Sequence, residues 1–184
     1  MKKELSLRVV SIDPGFNNLG VSFSNLNYHS GLMVVNDVNT YQIQKLTSRV
    51  DGSIIQDATN GLINVETVKA LIGRLLDTYK PDVVICESSY MGKFPQAFVS
   101  LSLCLHAIES AVYNYDTDVG YYTFDPATIK NANGVKGGSR DKEDMRKAII
   151  ANPSIVSTKD FNLLDEHSID SIGIGYCYFR KTFY

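Results

Sequence analysis

Hydrophobic positions in the first quarter of the chain follow the alternation of β-strands. The run 7–12 is mostly apolar and ends at Asp13, and over 19–24 apolar residues alternate with Gly and Ser. This period of two is typical of half-buried strands. A turn rich in Gly and Asn separates the two runs, which predicts a hairpin. Residues 32–46 predict one or two more strands with a turn near 36–39, so the sheet opens with three antiparallel strands.

The pattern changes to helical periodicity in the middle of the chain. Apolar residues recur at spacings of three and four over 63–79 and again over 95–115, which predicts two long amphipathic helices. A short apolar strand at 82–86 ends at Glu87, and a further strand is predicted at 119–124. Because a crossover helix joins parallel strands, we expect the first and fourth strands to be parallel neighbours.

Polar stretches separate these elements from a last helix. Residues 47–61 predict a surface loop. Residues 130–147 carry six Lys or Arg and three Asp or Glu, a local charge of +3. The Gly-rich first half of this stretch predicts a loop, and the second half begins a short helix through Ile150. The final helix is predicted at 161–180.

These elements predict a single α/β domain over 1–184, with a mixed five-stranded sheet (three antiparallel, then two parallel strands) flanked by helices. The chain is long enough to bury a full core. Its net charge of −2 does not indicate a general polyanion binder, so local charge clusters are more informative.

Cysteine spacing and hydropathy set the expected compartment. Three widely spaced cysteines without a CxxC pair indicate neither a zinc site nor a disulfide framework, and an odd count favours a reducing, intracellular compartment. No apolar run approaches 18 residues and no signal peptide is evident, so no membrane association is expected.

Carboxylates occupy the positions where ligands of α/β sheets usually bind. Asp13 and Glu87 follow the two strands expected to be neighbours, whose carboxyl ends meet at one edge. Asp170 lies in an apolar helical segment, with His167 three residues before it on the same face. Three of them have a plainer interpretation: Asp13 can open the Asp-Pro turn, Glu87 can end a strand, and His167 can be a surface or core residue. Asp170 is harder to explain in this way, because a buried unpaired carboxylate is costly.

Together these residues indicate a site for divalent cations. Clustered carboxylates raise one another's pKa unless a cation neutralises them. Oxygen ligands suit Mg²⁺ or Mn²⁺, and a histidine shifts the preference toward Mn²⁺. Two such ions about 4 Å apart can promote phosphodiester hydrolysis. The basic Gly-rich stretch could contact a phosphate backbone, or it could be a solvated surface.

Four ordered motifs carry a family resemblance: SIDPGFNNLG, VVICESSYMG, DPATIK with GSRDKEDM, and EHSIDSIGIGYCYF. Their sequence and order resemble the RuvC-type Holliday junction resolvases of the RNase H-like superfamily. The compact length and the flanking segments are most similar to the poxvirus branch of that family. The resemblance covers nearly the whole chain.

The resemblance implies a homodimer that binds branched DNA and needs no nucleotide cofactor. Each subunit would nick one strand of a four-way junction symmetrically and leave 5′-phosphates, using Mg²⁺ or Mn²⁺, two per active site. In a poxvirus, this activity would serve concatemer resolution and recombination in the cytoplasm of the infected cell. The broad apolar helix predicted at 95–115 is the candidate dimer interface.

The resemblance also assigns roles to single residues. It implies that Asp13, Glu87 and Asp170 are catalytic metal ligands. His167 falls on the fourth ligand position, where most members have aspartate, so Asp165 or Glu166 could substitute.

The basic segment and the region after the fourth strand receive further roles from the same resemblance. Lys142 matches a catalytic lysine that would stabilise charge on the scissile phosphate, and Lys130 matches a DNA-contacting lysine. Lys136 and Arg140 are further candidate DNA contacts. Tyr90 lies where family members carry a junction-wedging aromatic residue, although packing in the core is an equal explanation.

Three other functions fit parts of the sequence. A nuclease of the same fold could cut RNA–DNA hybrids or flap DNA. The first hairpin also resembles the phosphate-binding hairpin of actin-like and Hsp70-like ATPases, but those need two such domains, for which 184 residues are too few. A non-catalytic nucleic-acid binder would not need three carboxylates at the edges of strands and helices.

Overall fold

A six-stranded mixed sheet forms the centre of the computed structural model, which describes residues 6–47, 60–91, 95–136, 141 and 143–183. Its strands are β1 (Ser6–Asp13), β2 (Asn18–Asn27), β3 (Leu32–Gln42), β4 (Val83–Glu87), β5 (Gly120–Phe124) and β6 (Ile155–Ser157). They lie in the order β5-β4-β1-β2-β3-β6. Pairing is antiparallel between β1 and β2 and between β2 and β3, and parallel at the other three contacts.

Helices cover both faces of this sheet. They are α1 (Ile43–Thr47), α2 (Asn60–Tyr79), α3 (Pro95–Tyr115), α4 (Pro126–Ala132), α5 (Glu143–Ala151) and α6 (Glu166–Phe183). Val10 and Ile12 of β1 face the core shared with α2 and α3, while Val9 faces the core shared with α5 and α6. Burial on both faces explains why β1 and β4 are nearly continuous apolar runs.

The predicted neighbourhood of the first and fourth strands is confirmed. β1 and β4 are parallel, with Ile12 opposite Cys86. The next residue on each strand is a carboxylate, Asp13 and Glu87, so both emerge at the same edge of the sheet. The α/β class, the five predicted strands and the helices α2 and α3 are present as well.

The structure corrects the predicted sheet in two respects. β6 adds a sixth strand, parallel to β3, whose three residues are too few to show a periodic pattern. Residues 32–42 form a single strand, one of the two predicted alternatives, but the turn predicted near 36–39 is a bulge: Phe23 faces Asp37 while Ser24 faces Val35. The Asp37 carboxylate pairs with Lys159 and accepts a 2.8 Å hydrogen bond from the Tyr79 hydroxyl, which stabilises the irregular backbone.

Two predicted boundaries in the C-terminal third are also wrong. The stretch expected to be a loop from 130 begins inside α4, which Asp125 caps by accepting a 2.9 Å hydrogen bond from the Thr128 backbone N–H. The last helix begins at Glu166 rather than at 161, because residues 161–163 form a separate 3₁₀ turn. Most of the loop predicted at 47–61 lies outside the described residues.

Helix α6 lies unusually close to the sheet because small residues face each other across the contact. A Cβ atom at Gly175 would lie 2.6 Å from the Ser11 hydroxyl, and one at Gly20 would lie 2.1 Å from the backbone oxygen of His167. Both distances are shorter than van der Waals contact. Glycine at position 20 therefore allows the first turn of α6 to rest directly on β2.

The described ranges contain no helix of the length and apolar character required to cross a bilayer. Cys86, Cys104 and Cys177 are buried as free thiols. Core packing accounts for all three cysteines.

Candidate active site at the carboxyl edge of the sheet

Asp13 lies at the end of β1, where the chain turns through Pro14 and Gly15 toward β2. Its side chain is 17% exposed. A Cβ at Gly15 would lie 2.5 Å from the backbone oxygen of Asn18, so this turn needs glycine for a close backbone approach. The turn thus places a largely buried carboxylate at the edge of the sheet.

His167 contacts Asp13 directly. Its Nδ1 lies 2.7 Å from Asp13 Oδ2, and its Nε2 lies 3.3 Å from the Asn18 side-chain amide nitrogen. Donation from Nδ1–H to Asp13 and from the amide to Nε2 satisfies both nitrogens of a neutral ring. The hydrogen bond to Asp13 raises the pKa of His167, while burial raises the pKa of Asp13 against the opposing effect of this bond.

Glu87 lies beside Asp13 at the end of β4. Burial raises the pKa of its carboxyl to about 8, and the negative charges of Asp13 and Asp170 add to this effect. A glutamate with such a pKa is protonated over much of the neutral range unless a positive charge approaches it. Such displaced values are typical of functional carboxylates.

Asp170 reaches the same edge from α6. Burial raises its pKa to about 7, with further contributions from the charges of Asp13 and Glu166. The positive charge of Lys130, on α4, partly opposes this rise at both Asp170 and Glu87. Three separate elements thus place four side chains where the charge of one affects the pKa of another: Asp13, Glu87, Asp170 and His167. Lys130 lies near them.

The two alternative ligands, Asp165 and Glu166, differ in their contacts. Asp165 caps α6: its Oδ1 accepts hydrogen bonds from the Ser168 backbone N–H at 2.9 Å and from the Thr40 hydroxyl at 2.6 Å. Because Oδ1 accepts both bonds and thereby fixes the start of the helix, Asp165 serves as a structural cap. Glu166 contributes negative charge near Asp13 and Asp170.

The other candidate residues are more exposed or lie outside the described ranges. Tyr90 is 71% exposed, which excludes core packing and leaves its ring accessible to a ligand. Lys136 is exposed at the end of the loop that follows α4. Arg140 and Lys142 lie outside the described residues, so their roles stay predictions.

Sequence reasoning missed two residues that position this site. Asn18 holds the His167 ring through its side-chain amide, and Gly20 admits the backbone of His167 to the surface of β2. Both residues belong to the hairpin sequence NNLG, whose pattern predicts only a turn and the start of the second strand. Knowledge of which helix packs against this hairpin was needed to see their function.

The donor set fits a divalent cation in its chemistry. Three carboxylates, all with pKa values raised by burial and nearby negative charge, form an environment that a cation would stabilise, and their oxygens suit Mg²⁺ or Mn²⁺. In the described ranges, no three His, Cys, Asp or Glu side chains are gathered tightly enough to hold a metal ion. His167 would have to exchange one of its two hydrogen bonds to become a ligand.

The raised pKa of Glu87 predicts a pH-dependent stability difference. Its folded-state pKa of about 8 lies above the usual value of 4.5, so ionisation costs folding free energy as pH rises between these values. In chelator, Glu87→Gln should therefore become more stable relative to the wild type from pH 5 to pH 8.5, by about 1 to 3 kcal/mol, in urea unfolding. Glu66→Gln on the exposed surface of α2 is the matched control. A difference that does not change with pH would contradict the prediction.

Comparison with known proteins finds a sequence that matches this chain over nearly the full length of both. No protein-family model matches the chain. The chain is 27% identical over 177 residues to the crossover junction endodeoxyribonuclease RuvC of Borrelia turicatae, covering 94% of this chain and 95% of that protein.

Solved structures share the fold. RuvC of Thermus thermophilus superimposes with a TM-score of 0.69 at 15% identity, covering 97% of this chain and 95% of that one, and the same protein in complex with a Holliday junction substrate gives 0.68. The fowlpox virus resolvase in complex with Holliday junction DNA gives 0.60 at 19% identity, covering 94% and 99% of the two chains. The chain is thus similar in sequence to a RuvC protein along nearly its whole length, and it shares the fold of the Thermus thermophilus RuvC and fowlpox virus resolvase structures.

Proposed function

We propose that this protein is a structure-selective endodeoxyribonuclease that resolves four-way DNA junctions by metal-dependent hydrolysis. The observation that carries the proposal is the meeting of Asp13, Glu87 and Asp170 at one edge of the sheet. The charge of Asp13 raises the pKa of both other carboxyls. The similarity to RuvC and the fold shared with two resolvases solved with junction DNA support this substrate.

The three carboxylates would hold Mg²⁺ or Mn²⁺, two per site, with His167 as a further candidate ligand. When bound, such ions activate a water molecule and stabilise the leaving oxygen of a phosphodiester. Hydrogen bonding of His167 to Oδ2 of Asp13 restrains this carboxylate at the edge of the sheet.

Positive groups of the chain complement this acidic edge. The positive charge of Lys130 lowers the pKa of Glu87 and Asp170. An ammonium group beside these carboxylates also attracts an approaching phosphate. We assign Lys142, Lys136 and Arg140 to the same task, with Lys142 stabilising charge on the scissile phosphate. Tyr90, exposed after β4, offers a ring on which an unpaired base at the crossover could stack.

Symmetric nicking with 5′-phosphate products requires two copies of the site, so the proposal includes a homodimer. Helix α3 supports this assembly because it exposes apolar side chains beside the face that it buries. Val99, Leu103 and Tyr113 are 55%, 43% and 71% exposed and lie on one face of the helix, which also carries His106 and Ser110. Burial of the three apolar side chains against a second copy would remove them from water.

The dimer predicts an effect of charge on α3. Val99→Glu with Leu103→Glu should convert the protein to a monomer in sedimentation equilibrium, since like charges would face each other across the contact. Leu62→Glu, an exposed apolar residue of α2, is the matched control and should leave the dimer intact. A dimer that persists in the double variant would remove α3 from the interface.

Loss of any one carboxylate should abolish catalysis and spare binding. Asp13→Asn, Glu87→Gln and Asp170→Asn should each reduce junction cleavage in Mg²⁺ or Mn²⁺ by about 100-fold or more, because metal-derived stabilisation amounts to several kcal/mol. Junction affinity in chelator should stay near that of the wild type. Asp77→Asn, on the exposed face of α2, is the control. Full cleavage by any one variant would exclude that residue from the site.

The substrate is tested by comparing a four-way junction with linear duplex, flap DNA and an RNA–DNA hybrid. Preferential, paired nicking of the junction is the expected result. Cleavage of the hybrid or the flap without cleavage of the junction would instead support a nuclease of the same fold with another specificity.

Assignment to the poxvirus branch stays a prediction, together with a role in viral concatemer resolution. The fowlpox resolvase shares the fold, while the similar sequence is bacterial. An intracellular, reducing location stays a prediction from the cysteine pattern.

A further inference from the structure

A cleft opens between α4 and the last turn of α6. It has a volume of about 520 Å³ and is lined by Thr128, Asn131, Ala132, Arg180 and Lys181. Two of these residues are cations, two are neutral hydrogen-bonding residues, and none is acidic. The cleft is therefore chemically suited to an anion.

Both cations are held in place without a carboxylate partner among the described residues. Arg180 donates through Nη1 to the backbone oxygen of Ala132 at 2.7 Å, at the C-terminal end of α4, where the helix dipole favours positive charge. The Lys181 ammonium lies 5.2 Å from the centroid of the Phe124 ring, within the range of a cation–π contact. These contacts orient both positive charges and leave them un-neutralised.

The cleft is adjacent to the carboxylate cluster. Phe124 is the register partner of Glu87, so the ring beneath the Lys181 ammonium lies one strand away from a proposed metal ligand. Helix α4 separates the two sites: Lys130 acts on the carboxylates, while Thr128 and Asn131 line the cleft. Asn133 joins α4 to α6 by donating to the backbone oxygens of Ile129 at 2.8 Å and Gly173 at 2.9 Å.

We propose that this cleft binds the phosphate backbone of a DNA arm that leaves the active site, an inference that rests on the proposed nuclease function. An α-helix with its side chains is about 10 Å across, which corresponds to roughly three nucleotides along one strand. A strand whose scissile phosphate lies at the carboxylates can thus pass over α4 into the cleft. Guanidinium, ammonium and amide groups are usual donors to phosphate oxygens, and Arg180, Lys181 and Asn131 supply them here. The Thr128 hydroxyl donates to Asp125 Oδ2 at 2.6 Å instead.

Contacts of this kind add affinity that does not depend on sequence and that falls with salt. Arg180→Gln with Lys181→Gln should weaken binding of a four-way junction about 10-fold near 0.1 M salt, measured in chelator by fluorescence anisotropy. The slope of log affinity against log salt should decrease by about 1 to 2, one for each lost phosphate contact. Asn131→Asp, which adds a carboxylate inside the cleft and removes no cation, should weaken binding as well.

Lys69→Gln with Arg74→Gln is the matched control, because it removes two positive charges from α2, on the opposite side of the sheet. Its affinity and salt slope should equal those of the wild type. If the Arg180 variant unfolds, Lys181→Gln and Asn131→Asp carry the test alone.

Unchanged affinity in the cleft variants would overturn the proposal, and so would weaker binding with an unchanged salt slope. A wild-type protein that binds linear duplex as tightly as a junction and cleaves neither would refute the nuclease function. Loss of duplex binding in the cleft variants would still support the cleft as a backbone contact.

Discussion

The close packing of α6 against the sheet is the contact on which the candidate site depends. β1 and β4 place Asp13 and Glu87 side by side, but Asp170 and His167 belong to a helix more than 75 residues later in the chain. They reach the same edge because Gly20 lets the backbone of His167 approach β2, while Asp165 fixes the start of the helix through Thr40. A side chain at position 20 would push this turn outward and with it both C-terminal members of the site.

The cluster formed in this way is electrostatically unfavourable without a cation. Burial and mutual repulsion keep the pKa of Glu87 near 8 and that of Asp170 near 7, so both resist ionisation at neutral pH. The pair between His167 and Asp13 and the charge of Lys130 offset part of this cost. Buried groups of like charge are typical of positions that act on a ligand. Because ionisation of these carboxyls lowers the stability of the fold, we expect variants with a neutral amide in their place to be more stable.

Periodicity in the sequence was sufficient to predict the sheet and the helices that carry most of the site. β1, β4, α2 and α3 have long apolar patterns, and their order requires that Asp13 and Glu87 be neighbours. Short elements were missed, because the three residues of β6 and the seven of α4 show too little of a pattern.

The start of α6 was misplaced for a different reason. Asp160 and Asp165 both act as caps, the first for a 3₁₀ turn and the second for the helix, and an apolar stripe cannot tell which one begins the longer element. The bond between His167 and Asp13 joins residues 154 positions apart. Neither residue carries a local signal for it, so this contact could be known only from the tertiary structure.

Whether these carboxylates form one cation site is tested most directly by Mn²⁺ binding to the 184-residue chain. Electron paramagnetic resonance counts free Mn²⁺ during a titration and needs no DNA or catalysis. The account predicts about two ions bound per chain, with affinity reduced about 10-fold or more in Asp13→Asn, Glu87→Gln and Asp170→Asn, and unchanged in Glu66→Gln. Equal Mn²⁺ binding by the wild type and all three carboxylate variants would contradict it.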